Sequence, residues 1–353
     1  MPDREMLFRE AIGLATAEEM RRDDTVFVMG EDVGASGGIF KCCEGLFEEF
    51  GGERVIDTPI AEAGYIGLGV GAAMTGMRPL AELMFGDFAL LAMDQIVNQM
   101  AKMKYMLGGQ ATLPIVVTTH AGIDSSSAAQ HSGSLEAWFC HVPGLKVVMP
   151  SNAYDAKGLL ISSVEDNNPV IFIEHRWLHN TIDYVPVDGY RTPIGKAKVV
   201  RDGKDVTIVA HSYMVLESIR CAEVLASQGI SVEVVDLRSI RPLDTQTILR
   251  SVSKTLRVVV ADNGWVQFGV SAEIISVITE TIFDKLLSAP VRIGMNNSPS
   301  PSTRALANNF YPRADNIAKI ISEMMSKNFD MNLLFPKSKI PLDIPDPSFN
   351  GPF

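Results

Sequence analysis

Val55-Ile-Asp-Thr-Pro-Ile-Ala-Glu-Ala-Gly-Tyr-Ile-Gly-Leu-Gly-Val-Gly-Ala-Ala-Met-Thr-Gly-Met-Arg-Pro-Leu-Ala-Glu-Leu-Met84 decides the fold. A short apolar run, Val55 to Asp57, stops at Thr58-Pro59. A helix of small residues then runs from about Glu62 to Thr75, and Pro79 to Met84 reads as another strand. Strand, helix and strand in this order predict a mostly parallel sheet covered by helices.

The same alternation extends outward. Thr25 to Met29, Ile115 to Thr118, Leu145 to Val148 and Val170 to Ile173 are short β-branched runs that read as buried strands. One helix is expected from Ala89 to Leu107, apolar at Met93, Ile96, Val97, Met100 and Met103 and ended by Gly108-Gly109. Another is expected from Tyr154 to Val164. From Tyr184 to Thr192 the pattern lapses, and a second α/β set follows. Its strands are Asp205–Ala210, Ser231–Asp236 and Arg257–Ala261, and its helices Met214–Gln228, Thr245–Ser253 and Val270–Leu287. The expected division is a first domain over 1–185, a linker over 186–204, a second domain over 205–326, and a tail over 327–353. Each domain is α/β, a mostly parallel sheet with helices on both faces. The tail holds Pro336, Pro341, Pro345, Pro347 and Pro352, and is expected to build no core, being mobile or laid across a partner.

Composition agrees with two soluble cores. The 353 residues are 46% hydrophobic and 21% charged, ordinary for globular proteins and wrong for disordered or fibrous ones. No apolar run nears the ~20 residues of a membrane helix. The net charge of −11 comes without any Lys/Arg run, which argues against a nucleic-acid partner. Met1-Pro-Asp-Arg-Glu-Met6 lacks the basic n-region of a signal peptide and the Arg/Ser-rich character of a transit peptide, so a cytoplasmic location is expected. Cys42, Cys43, Cys140 and Cys221 form neither a disulfide framework nor a C-x-x-C pair. They point to a reducing compartment and buried thiols, and their spacing argues against zinc.

Gly67-Leu-Gly-Val-Gly-Ala72 satisfies the dinucleotide pattern G-x-G-x-x-A, but Gly67 lies about ten residues beyond the strand, inside the helix, where no phosphate loop can form. Small residues four apart instead give a smooth face suited to close packing, as at a subunit interface. Glu62 has two readings: a first-turn acid complementing the helix dipole, or a carboxyl among Ile60, Ala61, Ala63, Tyr65 and Ile66 whose pKa is pushed up for proton exchange. His131, in Ala128-Ala-Gln-His-Ser132, is either a hydrogen-bonded structural imidazole or a loop residue with a catalytic task. Phe85 and Phe88 could be plain core.

Taken together, several motifs resemble the β subunit of thiamine-diphosphate-dependent E1 components of the 2-oxo-acid dehydrogenase complexes. They are Gly30-Glu-Asp-Val33, Val55 to Gly64, Val70 to Pro79, Ala128 to Ser132, Pro143-Gly-Leu-Lys-Val-Val148, Asp155-Ala-Lys-Gly-Leu159 and Ser239-Ile-Arg-Pro-Leu-Asp244. The likeness runs from about Leu7 to Met325. It implies a transketolase-like pyrimidine-binding domain, a transketolase C-terminal-like domain, and a β–β contact within an α₂β₂ heterotetramer.

The implied activity is oxidative decarboxylation of a 2-oxo acid, pyruvate or branched-chain, or cleavage of acetoin, with acyl transfer to a lipoyl-bearing E2. The class would be an oxidoreductase acting on an oxo group with a disulfide acceptor, active only with an α subunit. That partner would hold the diphosphate and Mg²⁺ through a Gly-Asp-Gly motif. This chain has no such motif, since Phe88 follows Gly86-Asp87.

The resemblance further implies that Glu62 hydrogen-bonds the pyrimidine N1′, that Phe88 stacks on that ring, that Ile60 and Leu91 border the cofactor, and that His131 faces the reacting carbon. Ile115, Ser163, Asp166 and Asn168 fall at positions that bind structural K⁺, largely through main-chain carbonyls. Departures occur at His120–Ser127, where relatives have a Gly-rich loop, at Leu91 in place of a polar residue, and at Gly133 in place of a common Gln. Glu82-Leu-Met-Phe85 and Glu174-His175-Arg176 are more similar to acetoin-type or general bacterial members. Competing readings are the C-terminal half of a split transketolase, which calls for basic residues near the substrate mouth, and a silent β-like scaffold, which would tolerate loss of Glu62 or His131.

Overall fold

A computed structural model describes residues 4–122, 127–336, 341–347 and 349–351. The chain forms two compact units. One comprises 4–122, 130–194 and 347–351, and the other 127–129 and 195–346.

The first unit holds β1 (Arg4–Leu7), α1 (Phe8–Arg22), β2 (Val26–Gly30), α2 (Leu46–Phe50), β3 (Val55–Asp57), α3 (Glu62–Met74) and β4 (Arg78–Leu83). It continues with α4 (Met103–Met106), β5 (Val116–Ala121), α5 (Glu136–His141), β6 (Lys146–Val148), α6 (Ala153–Glu165), β7 (Val170–His175) and β8 (Ile182–Val185). Its strands lie in the order β6-β7-β5-β4-β2-β3, every neighbouring pair parallel. Val28 pairs with both Val55 and Leu80, and Val117 with Ile171, so the β-branched runs meet in register. Every residue of β2, β5 and β7 is buried, as expected of a parallel sheet covered on both faces. β1 and β8 pair separately as an antiparallel ribbon.

Motif residues with no chemical task hold this unit together. Asn152 caps α6 by accepting from Asp155 N at 2.7 Å. Lys157 is fully buried, yet its ammonium donates to Glu18 at 2.8 Å and to the carbonyls of Pro186 and Val187, so the charge is paired. Arg78 donates to the Val164 carbonyl at 2.8 Å. Gly69 lets α3 lie close on the sheet, because a Cβ there would stand 2.6 Å from Met29 Cε.

Several expectations change in the structure. The helix expected over 89–107 is broken. Gly86–Ala92 is a 3-10 turn, Gln95–Met100 winds wider as a π turn, and only α4 completes the segment. Neighbours on both sides press against it: a Cβ on Gly67 would lie 3.1 Å from Gln95 Oε1, and one on Gly144 would lie 2.0 Å from the Ala101 carbonyl. Tertiary packing overrides the helical pattern.

The second unit holds β9 (Lys198–Arg201), β10 (Val206–Ala210), α7 (Tyr213–Ala226), β11 (Val232–Asp236), β12 (Ser239–Arg241), α8 (Thr245–Thr255), β13 (Val258–Trp265), α9 (Val270–Ile282), β14 (Val291–Met295), α10 (Arg304–Ala307), α11 (Ala314–Met324) and α12 (Met331–Leu334). Its 5-stranded sheet has the order β14-β13-β10-β11-β9, parallel except for β9 at the edge. Asp244 caps α8. α9 stops five residues short of expectation, since Leu287 N donates to the Leu256 carbonyl at 2.9 Å and draws the chain away.

The linker expected over 186–204 instead contributes β9 to the second sheet, and the tail departs from expectation as well. Phe329, Met331 and Phe335 pack on the core formed by α7, β10, β11 and α11. Arg313, buried, donates to Tyr213 and Glu217 and also to the carbonyls of Leu342 and Ile344. Asp346 pairs with Arg220 at 2.8 Å. The prolines stop helix formation but leave enough apolar side chains and free carbonyls to dock on the chain's own unit.

Candidate active site

Parallel strands place all their carboxyl ends on one edge, where loops gather function. Glu31 follows β2, the segment to Glu62 follows β3, Gly86-Asp87-Phe88 follows β4, and the loop carrying His131 comes after β5. α3 packs directly on the Gly86–Ala92 turn, which brings the helix of Glu62 beside that of Phe88.

Glu62 is the first residue of α3 and only 4% exposed, although Ile60 before it is 83% exposed and Ala61, Ala63 and Gly64 are open to solvent. No described residue donates a hydrogen bond to its carboxylate. Glu31, in the Gly30-Glu-Asp-Val33 motif, is a second carboxyl group near Glu62. It is buried, its Oε1 has no hydrogen-bond partner, and burial followed by the nearby Glu62 carboxylate raises its pKa. Tyr65, one turn along α3, donates to the Glu82 carbonyl at 3.2 Å. Burial first, then Glu31, Glu62 and Glu82, raises its phenol pKa. Two carboxyl groups thus sit side by side in a sheltered spot with unmet acceptor capacity.

The aromatic group lies close by. His131 is half-buried, edge-on to Phe85 at 4.6 Å and to Phe88 at 5.3 Å, and those two phenyl rings meet edge-on at 5.3 Å. Asp87 anchors the turn by accepting from Gly133 N at 3.0 Å; burial raises its pKa, against the pull of that N–H and of His131. The pair accounts for one sequence departure. A Cβ at 133 would stand 2.5 Å from Asp87 Oδ1, so this carboxylate and a larger residue at 133 exclude each other. Leu91, 63% exposed, and Leu90 extend the apolar rim. Of the His120–Ser127 departure, residues 123–126 lie outside the described residues.

The positions expected to bind K⁺ gather at the opposite edge. Val170 N donates to the Ile115 carbonyl at 3.0 Å and Asp166 N to the Ser163 carbonyl at 3.3 Å. Their side chains are already committed: Asp166 takes Lys146 and the Asn168 amide, while Asn168 Oδ1 takes Lys104 at 2.6 Å. Main-chain oxygens are the groups left for a cation there.

Residues 4–180 match the family described as "Transketolase, pyrimidine binding domain", and 195–317 match "Transketolase, C-terminal domain". The chain is 45% identical over 330 residues to "Pyruvate dehydrogenase E1 component subunit beta, mitochondrial" of Dictyostelium discoideum, covering 92% of each. It is 46% identical to the Rhizobium meliloti (strain 1021) "Pyruvate dehydrogenase E1 component subunit beta", over 90% of this chain and 68% of that one. With the Rickettsia felis protein of the same name it shares 50%, over 81% of this chain and 87% of that one. A solved structure, "Split gene transketolase, inactive beta4 tetramer", superposes with a TM-score of 0.75 at 25% identity, covering 91% of this chain and 99% of that one. No helix among the described residues is long and apolar enough to cross a membrane. The two units are transketolase-like domains in the family's order, and the chain belongs to the E1 β-subunit family that includes the β subunits of pyruvate dehydrogenase.

Proposed function

We propose that the chain is the β subunit of an E1 enzyme that decarboxylates a 2-oxo acid, pyruvate first among the candidates, with thiamine diphosphate shared across the boundary with an α subunit. The observation that carries this reading is Glu62: a carboxyl group 4% exposed, without a donor among the described residues, beside a solvent-open apolar rim. A ring nitrogen of an aminopyrimidine would complete it. The unpartnered Glu31 oxygen and the ring faces of Phe85 and Phe88 fit the same group.

When bound, thiamine diphosphate supplies the electron sink for decarboxylation. Glu62 holds the proton at the pyrimidine nitrogen, and its burial keeps competing water from that contact. Phe88, braced by Phe85, offers an apolar face to the ring. Ile60 and Leu91 close the rim. His131, half-buried against both phenyl rings, would meet the substrate carboxylate or carbonyl and assist acyl transfer to a lipoyl group.

The chain offers no Gly-Asp-Gly anchor, so Mg²⁺ and the diphosphate fall to the α partner in an α₂β₂ assembly. The exposed face of α3, where Gly64 and Gly71 flank the open apolar side chain of Leu68, suits a subunit contact. K⁺ at Ile115, Ser163, Asp166 and Asn168 would rest on main-chain carbonyls. Cys42, Cys43, Cys140 and Cys221, none in a disulfide, suit a reducing compartment, here the cytoplasm.

Leu91 and the Glu82-Leu-Met-Phe85 stretch keep branched-chain 2-oxo acids and acetoin in the comparison. Reconstitution with α subunits of each type, followed by thiamine-diphosphate-dependent dye reduction with pyruvate, branched 2-oxo acids and acetoin, ranks them. Turnover of a 2-oxo acid or acetoin with any α subunit supports the reading. Turnover of sugar phosphates alone would move the chain to the split transketolases.

A further inference from the structure

Cys42, His120, Glu174 and His179 come from separate parts of the first unit: the loop after β2, the end of β5, the end of β7 and the turn beyond it. All four are buried, with exposures of 3%, 1%, 1% and 0%. Their donor atoms lie within 4.8 Å of one another. Glu174 Oε2 is the common vertex, 3.3 Å from Cys42 Sγ, 3.5 Å from His120 Nε2 and 3.1 Å from His179 Nε2. Zinc bonds of about 2.0–2.1 Å to nitrogen or oxygen and about 2.3 Å to sulfur give tetrahedral edges of roughly 3.3–3.5 Å. The three separations from Glu174 Oε2 are of that size, the first being a hydrogen bond donated by the Cys42 thiol, and the remaining ones do not exceed 4.8 Å.

The ring nitrogens add an independent observation. His120 Nε2 and both nitrogens of His179 are buried and make no well-aligned hydrogen bond, although the Glu174 carboxylate stands 3.5 Å from the first and 3.1 Å from His179 Nε2 as an ion-pair partner. His120 Nδ1 lies 3.1 Å from the Met84 carbonyl, which can only accept. With a cation in place of the proton that Glu174 otherwise favours on this ring, the remaining proton sits on Nδ1 and the Nε2 lone pair turns inward, the outer contact typical of a metal-ligating histidine.

We propose that these four residues form a closed structural zinc site. One thiolate and one carboxylate balance the charge of Zn²⁺, and two neutral imidazoles complete a tetrahedron with no open position, so the site is structural rather than catalytic. The cysteine spacing argued against zinc because only one ligand is a cysteine, and the other three lie far along the chain. The ion would sit behind the aromatic group of the candidate active site. Phe40 touches His120 edge-on at 4.6 Å and Phe85 at 6.0 Å, and Phe85 meets His131.

The test uses the full chain, purified from zinc-supplemented cells and gel-filtered with a chelator outside. Elemental analysis should find about one zinc per chain. Cys42→Ser and His179→Gln should lose it, while His141→Gln, outside the cluster, should keep it. Those variants could fail to fold, so a second measurement uses the unaltered chain refolded with Co²⁺. It should show thiolate-to-cobalt charge transfer and the strong visible bands of tetrahedral cobalt. Zinc below about a tenth of an equivalent, with no such bands after refolding, overturns the proposal and leaves a buried His120–Glu174 ion pair in its place.

Discussion

Gly133→Ala is the sharpest probe of how the candidate site is supported. The new Cβ would stand 2.5 Å from Asp87 Oδ1 and 3.1 Å from its Cγ, both inside van der Waals contact. The carboxylate must swing away and give up the bond from Gly133 N at 3.0 Å. A lost hydrogen bond to a charged acceptor costs about 1.5–3 kcal/mol, and crowding of a packed site adds about 1–3 kcal/mol. Partial exposure of Asp87 draws the sum toward about 2–4 kcal/mol. In an Asp87→Ala background the new methyl meets no carboxylate, and the same substitution should cost under about 1 kcal/mol. Chemical denaturation of the four proteins in a double-mutant cycle, followed by Trp fluorescence and circular dichroism, reads the coupling directly. Equal costs for Gly133→Ala in the two backgrounds would refute the reasoning.

Glu31 gives a pH dependence. Its folded pKa is raised by burial and by Glu62, so between the unfolded and folded values the native chain binds the extra proton. The stability this group contributes is present below the unfolded value and is lost as pH rises through the folded one. Glu31→Gln should flatten that part of the stability–pH curve, and an unchanged curve would count against the buried pair. Arg313→Ala should cost about 3–5 kcal/mol, because it leaves the buried Glu217 without its counter-ion, held only by the Tyr213 hydroxyl and the Ala314 N–H, and frees the Leu342 and Ile344 carbonyls together. Limited proteolysis should then cut the tail beyond 327 faster; an unchanged cleavage rate would mean the tail is held otherwise.

How much could be read beforehand follows from the reach of each interaction. α3 was legible because its small residues, its polar start at Glu62 and its stop at Gly76 are local signals. The strands of both sheets were legible as β-branched runs, whereas their spatial order was not, because register is settled between distant segments. The β1–β8 ribbon escaped for the same reason: Arg4 pairs with Val185. The helix over 89–107 failed where Gly67 and Gly144, both remote in sequence, let other backbone crowd it. Glu62 and His131 stood out as candidates in their motifs and Phe88 through the family resemblance, and only the fold sets Phe88 against His131. The Gly133–Asp87 exclusion and the Cys42–Glu174 contact join residues 46 and 132 positions apart, and no linear pattern marks them. Glu31 stood in a quoted motif, but its buried, unpartnered oxygen is visible only in three dimensions.

The central claim is that Glu62 lends its proton to a cofactor shared with another subunit. Deuterium exchange at the thiazolium C2 of thiamine diphosphate, followed by NMR in the reconstituted α–β enzyme, measures that step apart from substrate binding. Glu62→Gln should slow the exchange by about 10²–10⁴-fold while the assembled complex and its melting temperature stay close to those of the unaltered enzyme. Exchange at the unaltered rate in a folded, cofactor-loaded Glu62→Gln enzyme would contradict it.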